Sequence, residues 1–226
     1  MANWYFSPFH SSPQTPFRKK KGQIPFLIGG SLLALVGSWL VWSLLESRGL
    51  NPFTPAKAPE PALLNEAFMP SVAHWEDQIL NWADEYALDP LLVATVMQIE
   101  SCGNPSAISP ADAQGLFQVM PYHFAAEENM LDPQTNAARG LAYLNRSYEM
   151  AGGDIELTLA GYNGGHGQIA RDRSLWPEET LRYVTWGNGI YQDAVTGDTN
   201  RLTLTAWLRA GGQSLCDRAE TSLNLK

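Results

Sequence analysis

The feature that most constrains this fold is an almost wholly apolar helix that ends on a carboxylate. Asp89-Pro90 is typical of a helix start, because aspartate caps the first turn and proline is tolerated at the first helical position. From Leu91 to Ile99 almost no polar face remains, so we predict a helix buried nearly all round. Glu100 then lies at its C-terminal end, where poor solvation and the helix dipole both raise the pKa of a carboxyl. A carboxyl protonated near neutral pH can donate a proton to a leaving oxygen.

A loop follows Glu100 and leads to a second short motif. Residues 102–114 are rich in Gly, Pro, Ser and Asn and lose the helical pattern. The loop ends at Gly115-Leu116-Phe117-Gln118, where glycine allows close backbone approach and Gln118 offers amide donors and an acceptor. This layout indicates a cleft served by one carboxylate. Taken alone, Glu100 is better explained as a helix-end residue pointing to solvent, so the interpretation depends on the other motifs.

Those motifs occur in a fixed order at compatible spacing. They are Glu100-Ser101, Asn104-Pro105, Ala107, Ser109-Pro110, Ala113, the run from Gly115 to Pro121, Asn136, Gly140, Tyr143-Leu144, the run from Ala160 to Gly165, Glu179-Thr180 and Tyr183-Val184. Together they resemble the catalytic signature of the soluble lytic transglycosylase (SLT) family over residues 70–192. The resemblance implies a mainly α, lysozyme-like domain of the goose-type lysozyme and lytic transglycosylase kind. Phe117 stands where the family more often has Met, which we interpret as a tolerated exchange of large apolar residues.

The resemblance also implies roles for individual side chains. Glu100 is the expected catalytic acid and base, and Tyr162 is expected near it, to orient Glu100 or the sugar. The residues expected to bind substrate are Ser101, Ser109, Gln118, Met120, Tyr162, Asn163, Glu179 and Tyr183. Three alternatives stay open: core packing for Met120, a helix end with a packed ring for Tyr162 and Asn163, and first-turn dipole compensation for Glu179.

The signature presents one strong carboxylate, whereas glycoside hydrolysis normally uses two. The resemblance therefore implies non-hydrolytic cleavage of the β-1,4 bond between N-acetylmuramic acid and N-acetylglucosamine, with the substrate's own 6-hydroxyl as nucleophile and a 1,6-anhydro end as product. One rival is a hydrolytic, goose-type lysozyme activity, for which Asp112 is the extra acid that could serve a water. A second rival is a non-catalytic module that binds peptidoglycan in the same groove.

The N-terminal third predicts a membrane anchor. Residues 1–23 form an aromatic, Pro- and Ser-rich arm that we expect to be disordered, and it ends in the basic cluster 18–21. Residues 24–45 carry no charge and span about 33 Å at roughly 1.5 Å per residue, which suits a transmembrane helix better than a cleaved signal peptide. The basic cluster places the N-terminus in the cytoplasm. Residues 46–68, rich in Pro, are then a spacer outside the cell membrane.

Helical periodicity continues through the predicted catalytic domain, residues 69–192. We predict a helix from Ser71 to Tyr86, one capped by Asn136 that stops at Gly152-Gly153, one opened by Asp154 or Ile155, and one that begins at Pro177. Residues 193–226 lie outside the resemblance and are expected to pack on the domain as an extension, with a helix or strand over residues 202–208.

The charge distribution restricts the possible partners. All 23 acidic residues lie at or after Glu46, and four of the 15 basic residues are confined to the cluster 18–21. The outer part of the chain is therefore strongly acidic, which argues against nucleic acid as a partner. We expect peptidoglycan glycan strands as substrate and a monomeric protein.

The two cysteines lie in the part predicted to be outside the membrane, where oxidation is favoured. We expect a Cys102–Cys216 disulfide that ties the C-terminal tail beside the catalytic helix. The alternative is a Cys102 nucleophile with His123 or His166 as base, but no cysteine-protease signature surrounds it and Glu100 would disfavour a thiolate. The four histidines show no metal-ligand spacing, so we predict no metal and no cofactor.

Overall fold

The computed structural model describes Leu64 and residues 67–226. The predicted cytoplasmic arm, the predicted transmembrane helix and nearly all of the predicted linker lie outside these residues. Within the described part of the chain, no helix has the length and apolar character needed to cross a membrane.

The described residues are mainly helical, as the sequence predicts. Eight α-helices follow in order: α1 Pro70–Ala73, α2 Glu76–Glu85, α3 Pro90–Glu100, α4 Pro133–Met150, α5 Ile155–Gly164, α6 Glu178–Thr196, α7 Leu202–Trp207 and α8 Gln213–Ser222. Short 3-10 turns occupy Pro121–His123, His166–Gln168 and Arg173–Leu175. The only extended pairings in this part of the chain are two isolated β-bridges, Ile108 with Gln114 and Gln114 with Val119.

Helix α3 is the centre of the core. Asp89 caps it by accepting a hydrogen bond from the Leu91 amide, and Pro90 follows, which confirms the predicted start. Every residue from Leu91 to Glu100 is buried. Helices α2 and α6 pack against α3, and α5 packs between α4 and α6. A helix surrounded in this way delivers its last side chain, Glu100, into the interior of the domain.

The first predicted helix is interrupted. A single helix from Ser71 to Tyr86 was expected, but α1 ends at Ala73 and α2 begins at Glu76. Between them Trp75 leaves helical geometry, and its buried indole donates a hydrogen bond to the Gly103 carbonyl at 2.8 Å. The break therefore ties this part of the chain to the loop just after Glu100.

Asn136 does not cap α4, contrary to the sequence prediction. The cap is Asp132, which accepts from the Thr135 amide. Asn136 lies one turn further on and is fully buried, where it accepts from the Phe117 amide at 2.9 Å and donates to the Gln114 carbonyl at 2.7 Å. Its amide matches an adjacent backbone donor and acceptor, so Asn136 clamps the loop that carries Gln118.

Gly115 is needed at the point where this clamp approaches the loop. Its φ is +71°, a region that favours glycine, and a Cβ there would lie 2.6 Å from the Asn136 side-chain nitrogen. A larger residue would push Asn136 away and release the loop.

The C-terminal extension is helical and packs on the domain. Helix α6 runs to Thr196, past residue 192 where the sequence resemblance ends, and Gly197 terminates it in the left-handed conformation. Helix α7 follows and packs on α6, and the turn Leu208–Gly212 leads into α8. Cys216 of α8 is joined to Cys102 by a disulfide, the pairing that the sequence predicts. The bridge holds α8 beside the end of α3.

Candidate active site

Glu100 is a buried carboxyl at the edge of a cavity. It is the last residue of α3, and its side chain is 5% exposed. The Tyr183 hydroxyl, from α6, donates a hydrogen bond to Oε1 at 2.8 Å. The other oxygen, Oε2, is buried and has no hydrogen-bond partner among the described residues. One oxygen is thus held in place while the second remains available to a ligand.

The surroundings raise the pKa of Glu100 to about 8. Burial is the main cause, because a desolvated carboxylate is destabilised relative to the neutral acid. The hydrogen bond from Tyr183 opposes this effect, and the nearby negative charge of Glu179 adds to it. Glu100 is therefore largely protonated at neutral pH, which is the state required of a general acid.

The cavity beside Glu100 has a volume of about 420 Å³, within the roughly 300–1,000 Å³ typical of ligand sites. The end of α3, Gln118 and Asn163 line this cavity. The rest of its wall comes from loop residues 104–110, the first turns of α6 and the C-terminal extension. A smaller cavity of about 20 Å³ lies against Glu100, bordered by Met120, His123, Tyr143 and Tyr162. Glu100, Gln118 and Asn163 line both cavities, so the two adjoin at the carboxyl.

Most of the predicted substrate-binding residues are brought together here. Five of them line the larger cavity with Glu100, namely Ser109, Gln118, Asn163, Glu179 and Tyr183. Met120 and Tyr162 line the smaller one. Gln118 uses its side-chain NH₂ to hold the carbonyls of Ala107 and Gly115, so those donors shape the loop.

Ser101 is not part of the cavity lining. It is fully buried, and its hydroxyl donates to the Leu116 carbonyl at 2.7 Å and accepts from the Gly103 amide at 3.1 Å. These bonds fasten the start of the loop to its end. The geometry thus gives Ser101 a role in loop structure rather than a contact with substrate.

Two tyrosines divide the role that was expected of Tyr162. The Tyr162 hydroxyl donates to the Phe117 carbonyl at 2.7 Å and so supports the loop, although its ring borders the smaller cavity. Tyr183 makes the hydrogen bond to Glu100. Because both rings are buried near Glu100, the pKa of each phenol is raised well above its usual value, chiefly by burial. Both hydroxyls therefore stay protonated and act as donors.

Sequence reasoning missed much of the cavity wall. Arg182 and Trp186 of α6 line it, as do six residues of the extension: Trp207, Gly211, Gly212, Ser214, Leu215 and Arg218. The one sequence signal was the pair Cys102 and Cys216, since a bridge two residues after Glu100 brings the extension to the site. The described residues contain no group of three or more His, Cys, Asp or Glu side chains arranged to hold a metal ion.

Comparison with known proteins agrees with this geometry. The family model described as Transglycosylase SLT domain matches residues 77–180, which include the whole of α3 and the start of α6. Residues 77–180 of this chain are thus similar to an SLT domain. The match ends before Arg182, so the cavity wall built by the rest of α6 and by the C-terminal extension lies beyond the matched residues.

Several relatives share this region. A protein named Transglycosylase from Enterobacteria phage PRD1 is 37% identical over 117 residues, which cover 51% of this chain and 42% of the relative. Membrane-bound lytic murein transglycosylase E from Buchnera aphidicola is 30% identical over 125 residues, 47% of this chain and 55% of the relative. Membrane-bound lytic murein transglycosylase C from Edwardsiella ictaluri is 32% identical over 116 residues, which cover 42% of this chain and 32% of the relative. The chain spans about a third to a half of the length of these relatives.

Proposed function

We propose that this protein is a lytic transglycosylase that cleaves the β-1,4 bond between N-acetylmuramic acid and N-acetylglucosamine in peptidoglycan. The observation that carries the proposal is Glu100: a buried carboxyl, neutral near pH 7, that lines two adjoining cavities and whose Oε2 has no hydrogen-bond partner among the described residues. The SLT domain and the relatives named as murein transglycosylases support the same activity.

In the first step Glu100 acts as an acid. Oε1 accepts the Tyr183 hydrogen bond, so the acidic proton belongs on Oε2. That proton passes to the bridging oxygen as the bond from C1 of N-acetylmuramic acid breaks, and N-acetylglucosamine leaves with a new 4-hydroxyl. Positive charge develops at C1, where the 2-acetamido group of the same sugar stabilises it.

In the second step Glu100 acts as a base. The carboxylate, still bonded to Tyr183, takes the proton of the sugar's 6-hydroxyl while that oxygen bonds to C1. The product is a 1,6-anhydro end, no water is consumed, and Glu100 is again protonated. The raised pKa suits both steps, because a conjugate base with a pKa near 8 accepts a proton more readily than an ordinary carboxylate.

A lysozyme activity on the same scaffold is the second candidate, and the structure changes which acid would serve it. Asp112 is exposed, lies outside both cavity linings, and accepts a hydrogen bond from Gln114 at 2.8 Å. Glu179 does line the larger cavity and acts electrostatically on Glu100. If the enzyme used water, Glu179 rather than Asp112 would be the base.

We also propose that the protein is anchored in the cell membrane by residues 24–45, with the N-terminus in the cytoplasm and the SLT domain outside. The basic cluster before the apolar run supports this orientation, as do the names of the membrane-bound relatives. The disulfide fits an oxidising compartment. Protease treatment of intact spheroplasts should digest the domain and spare a tag at the N-terminus; the reverse pattern would refute this topology.

The activity is tested by digesting purified peptidoglycan with the full chain and analysing the muropeptides by mass spectrometry. Products one water lighter than reducing-end muropeptides, absent with Glu100→Gln, are expected. Asp112→Asn and Glu179→Gln serve as matched variants. Reducing ends that disappear with either of them would show hydrolysis, whereas glycan binding without any cleavage would show a non-catalytic module.

A further inference from the structure

We propose that the C-terminal extension completes the substrate site, and that Arg218 binds a carboxylate of the peptide stem carried by the muramic acid residue. This inference rests on the proposed function and deepens it. We call the lining residues Trp207, Gly211, Gly212, Ser214, Leu215 and Arg218 the C-terminal wall. All of them lie beyond the match to the SLT domain, which ends at residue 180.

The C-terminal wall is rigidly connected to the catalytic helix. Cys216 lies within it in sequence and is bonded to Cys102, two residues after Glu100. Gln98 of α3 donates to the Sγ atoms of both cysteines, at 3.0 and 3.4 Å. The wall is therefore positioned relative to Glu100 by a covalent bond and by a buried amide on the same helix.

Close packing fixes the bend that points the C-terminal wall at the cavity. Trp207 is 2% exposed, and a Cβ on Gly212 would lie 2.5 Å from its ring. Gly211 has a φ of +138°, which L side chains rarely adopt. Only glycine at these two positions lets α8 start where it does, with Ser214, Leu215 and Arg218 facing the cavity.

Arg218 is the charged residue of the C-terminal wall. Among the described residues its guanidinium makes no ion pair or hydrogen bond, although α8 carries two acidic neighbours. Lys226 accounts for both, bonding Asp217 at 2.6 Å and Glu220 at 2.9 Å. Arg218 thus remains at the cavity with its charge uncompensated by its own helix.

The cavity is electrostatically unlike the rest of the acidic domain. Its charged lining consists of Arg218, Arg182, Glu179 and Glu100, and Glu100 is largely neutral near pH 7. Arg182 lies on α6 with its side chain half exposed, and it forms an ion pair with Glu178 at 3.6 Å. Arg218 is therefore the lining cation with no ion pair among the described residues, and such a guanidinium favours a negatively charged ligand.

The proposed substrate supplies such a group. Bare glycan strands of N-acetylated sugars carry no charge other than the lactyl carboxyl of muramic acid, and in stem-bearing peptidoglycan that carboxyl is consumed in the amide bond to the peptide. The free carboxylates then belong to the peptide stem. Guanidinium binds a carboxylate through two parallel N–H···O bonds, which gives both affinity and orientation.

The test compares three substrates with Arg218→Gln and with Arg209→Gln as control. Arg209 is exposed in the same segment but does not line the cavity. The substrates are soluble peptidoglycan strands with uncrosslinked stems and the same strands after an amidase has removed the stems. Because amidase treatment exposes lactyl carboxylates, a third substrate with these groups converted to neutral amides is included.

We expect Arg218→Gln to raise KM for the stem-bearing strands roughly tenfold, with kcat little changed and KM for the neutral strands unchanged. Arg209→Gln should change none of these values. Equal effects of Arg218→Gln on all substrates, or no effect on any, would overturn the inference while leaving the proposed activity intact. Because each variant is compared across substrates, a partial loss of folded protein cannot imitate the result. Failure of the unmodified protein to cut any of the strands would refute the proposed function and this inference with it.

Discussion

Replacing Glu100 with glutamine should stabilise the protein while abolishing its activity, and the gain should grow with pH. In the unfolded chain a glutamate has a pKa of about 4.5, whereas burial raises that of Glu100 to about 8 in the folded protein. Between these values the folded state holds a proton that the unfolded state releases. The free energy of unfolding of the wild type therefore falls as pH rises through this window.

The size of the effect follows from the two pKa values. Each tenfold change in proton affinity corresponds to about 1.4 kcal/mol, so at pH 7 the burial of Glu100 costs the fold about 3 kcal/mol. The cost approaches about 5 kcal/mol above pH 8 and vanishes below pH 4.5. Glutamine has nearly the same shape, stays neutral at every pH, and its carbonyl can accept the Tyr183 hydrogen bond.

Urea unfolding in mild detergent, followed by tryptophan fluorescence at pH 4, 6, 7 and 8.5, measures this difference. We expect nearly equal stabilities at pH 4 and a variant more stable by about 3 kcal/mol at pH 7. Glu178→Gln is the matched control, because Glu178 is a solvent-facing residue of α6 with 88% side-chain exposure. A Glu100→Gln difference that does not change between pH 4 and 8.5 would show that Glu100 is not held neutral by the fold.

Three further substitutions test the supporting structure. Tyr183→Phe removes the hydrogen bond that lowers the pKa of Glu100, so the loss of kcat/KM at alkaline pH should move above pH 8, while Tyr191→Phe on the same helix should leave the profile unchanged. If the alkaline limb of the kcat/KM profile does not move in Tyr183→Phe, the loss of activity there comes from the titration of a group other than Glu100. Asn136→Ala leaves the Phe117 amide unpaired in the interior and removes one of the two hydrogen bonds to the Gln114 carbonyl, and chemical denaturation should show a loss of about 1–3 kcal/mol together with lower activity. Cys216→Ala opens a bridge between residues 114 apart and should cost up to about 4–5 kcal/mol and raise KM by releasing α8; an unchanged KM would exclude α8 from substrate binding.

Local chemistry explains which parts of the fold could be predicted from the sequence. Asp89-Pro90 and Asp154 are helix starts that depend only on neighbouring residues, and the structure confirms both. The apolar run of α3 required a buried helix whatever its neighbours were, and every residue from Leu91 to Glu100 is buried. The disulfide pairing had no alternative within a chain that contains two cysteines.

The missed features depend on contacts between distant segments. Asn136 has the residue type of a helix cap, but its partners are 19 and 22 residues away, and Asp132 caps the helix instead. Ser101 shares the Glu100 motif, yet its hydroxyl bonds a carbonyl 15 residues later and lies outside the cavity lining.

The C-terminal wall could not be predicted for the same reason. Its place at the cavity depends on the bend at Gly211-Gly212 and on packing against Trp207, neither of which produces a periodic pattern in the sequence. The candidate site is therefore predictable around Glu100, where it depends on neighbouring residues. The C-terminal wall, which would select among substrates, depends on contacts between distant segments and is not.

The most direct test of non-hydrolytic cleavage by Glu100 is a digest of purified peptidoglycan in water enriched in ¹⁸O. The proposed mechanism closes the 6-hydroxyl of N-acetylmuramic acid onto C1, so mass spectrometry should find 1,6-anhydro products without ¹⁸O, and none of them with Glu100→Gln. Reducing-end products that carry one ¹⁸O atom would show that water is the nucleophile and would contradict the account.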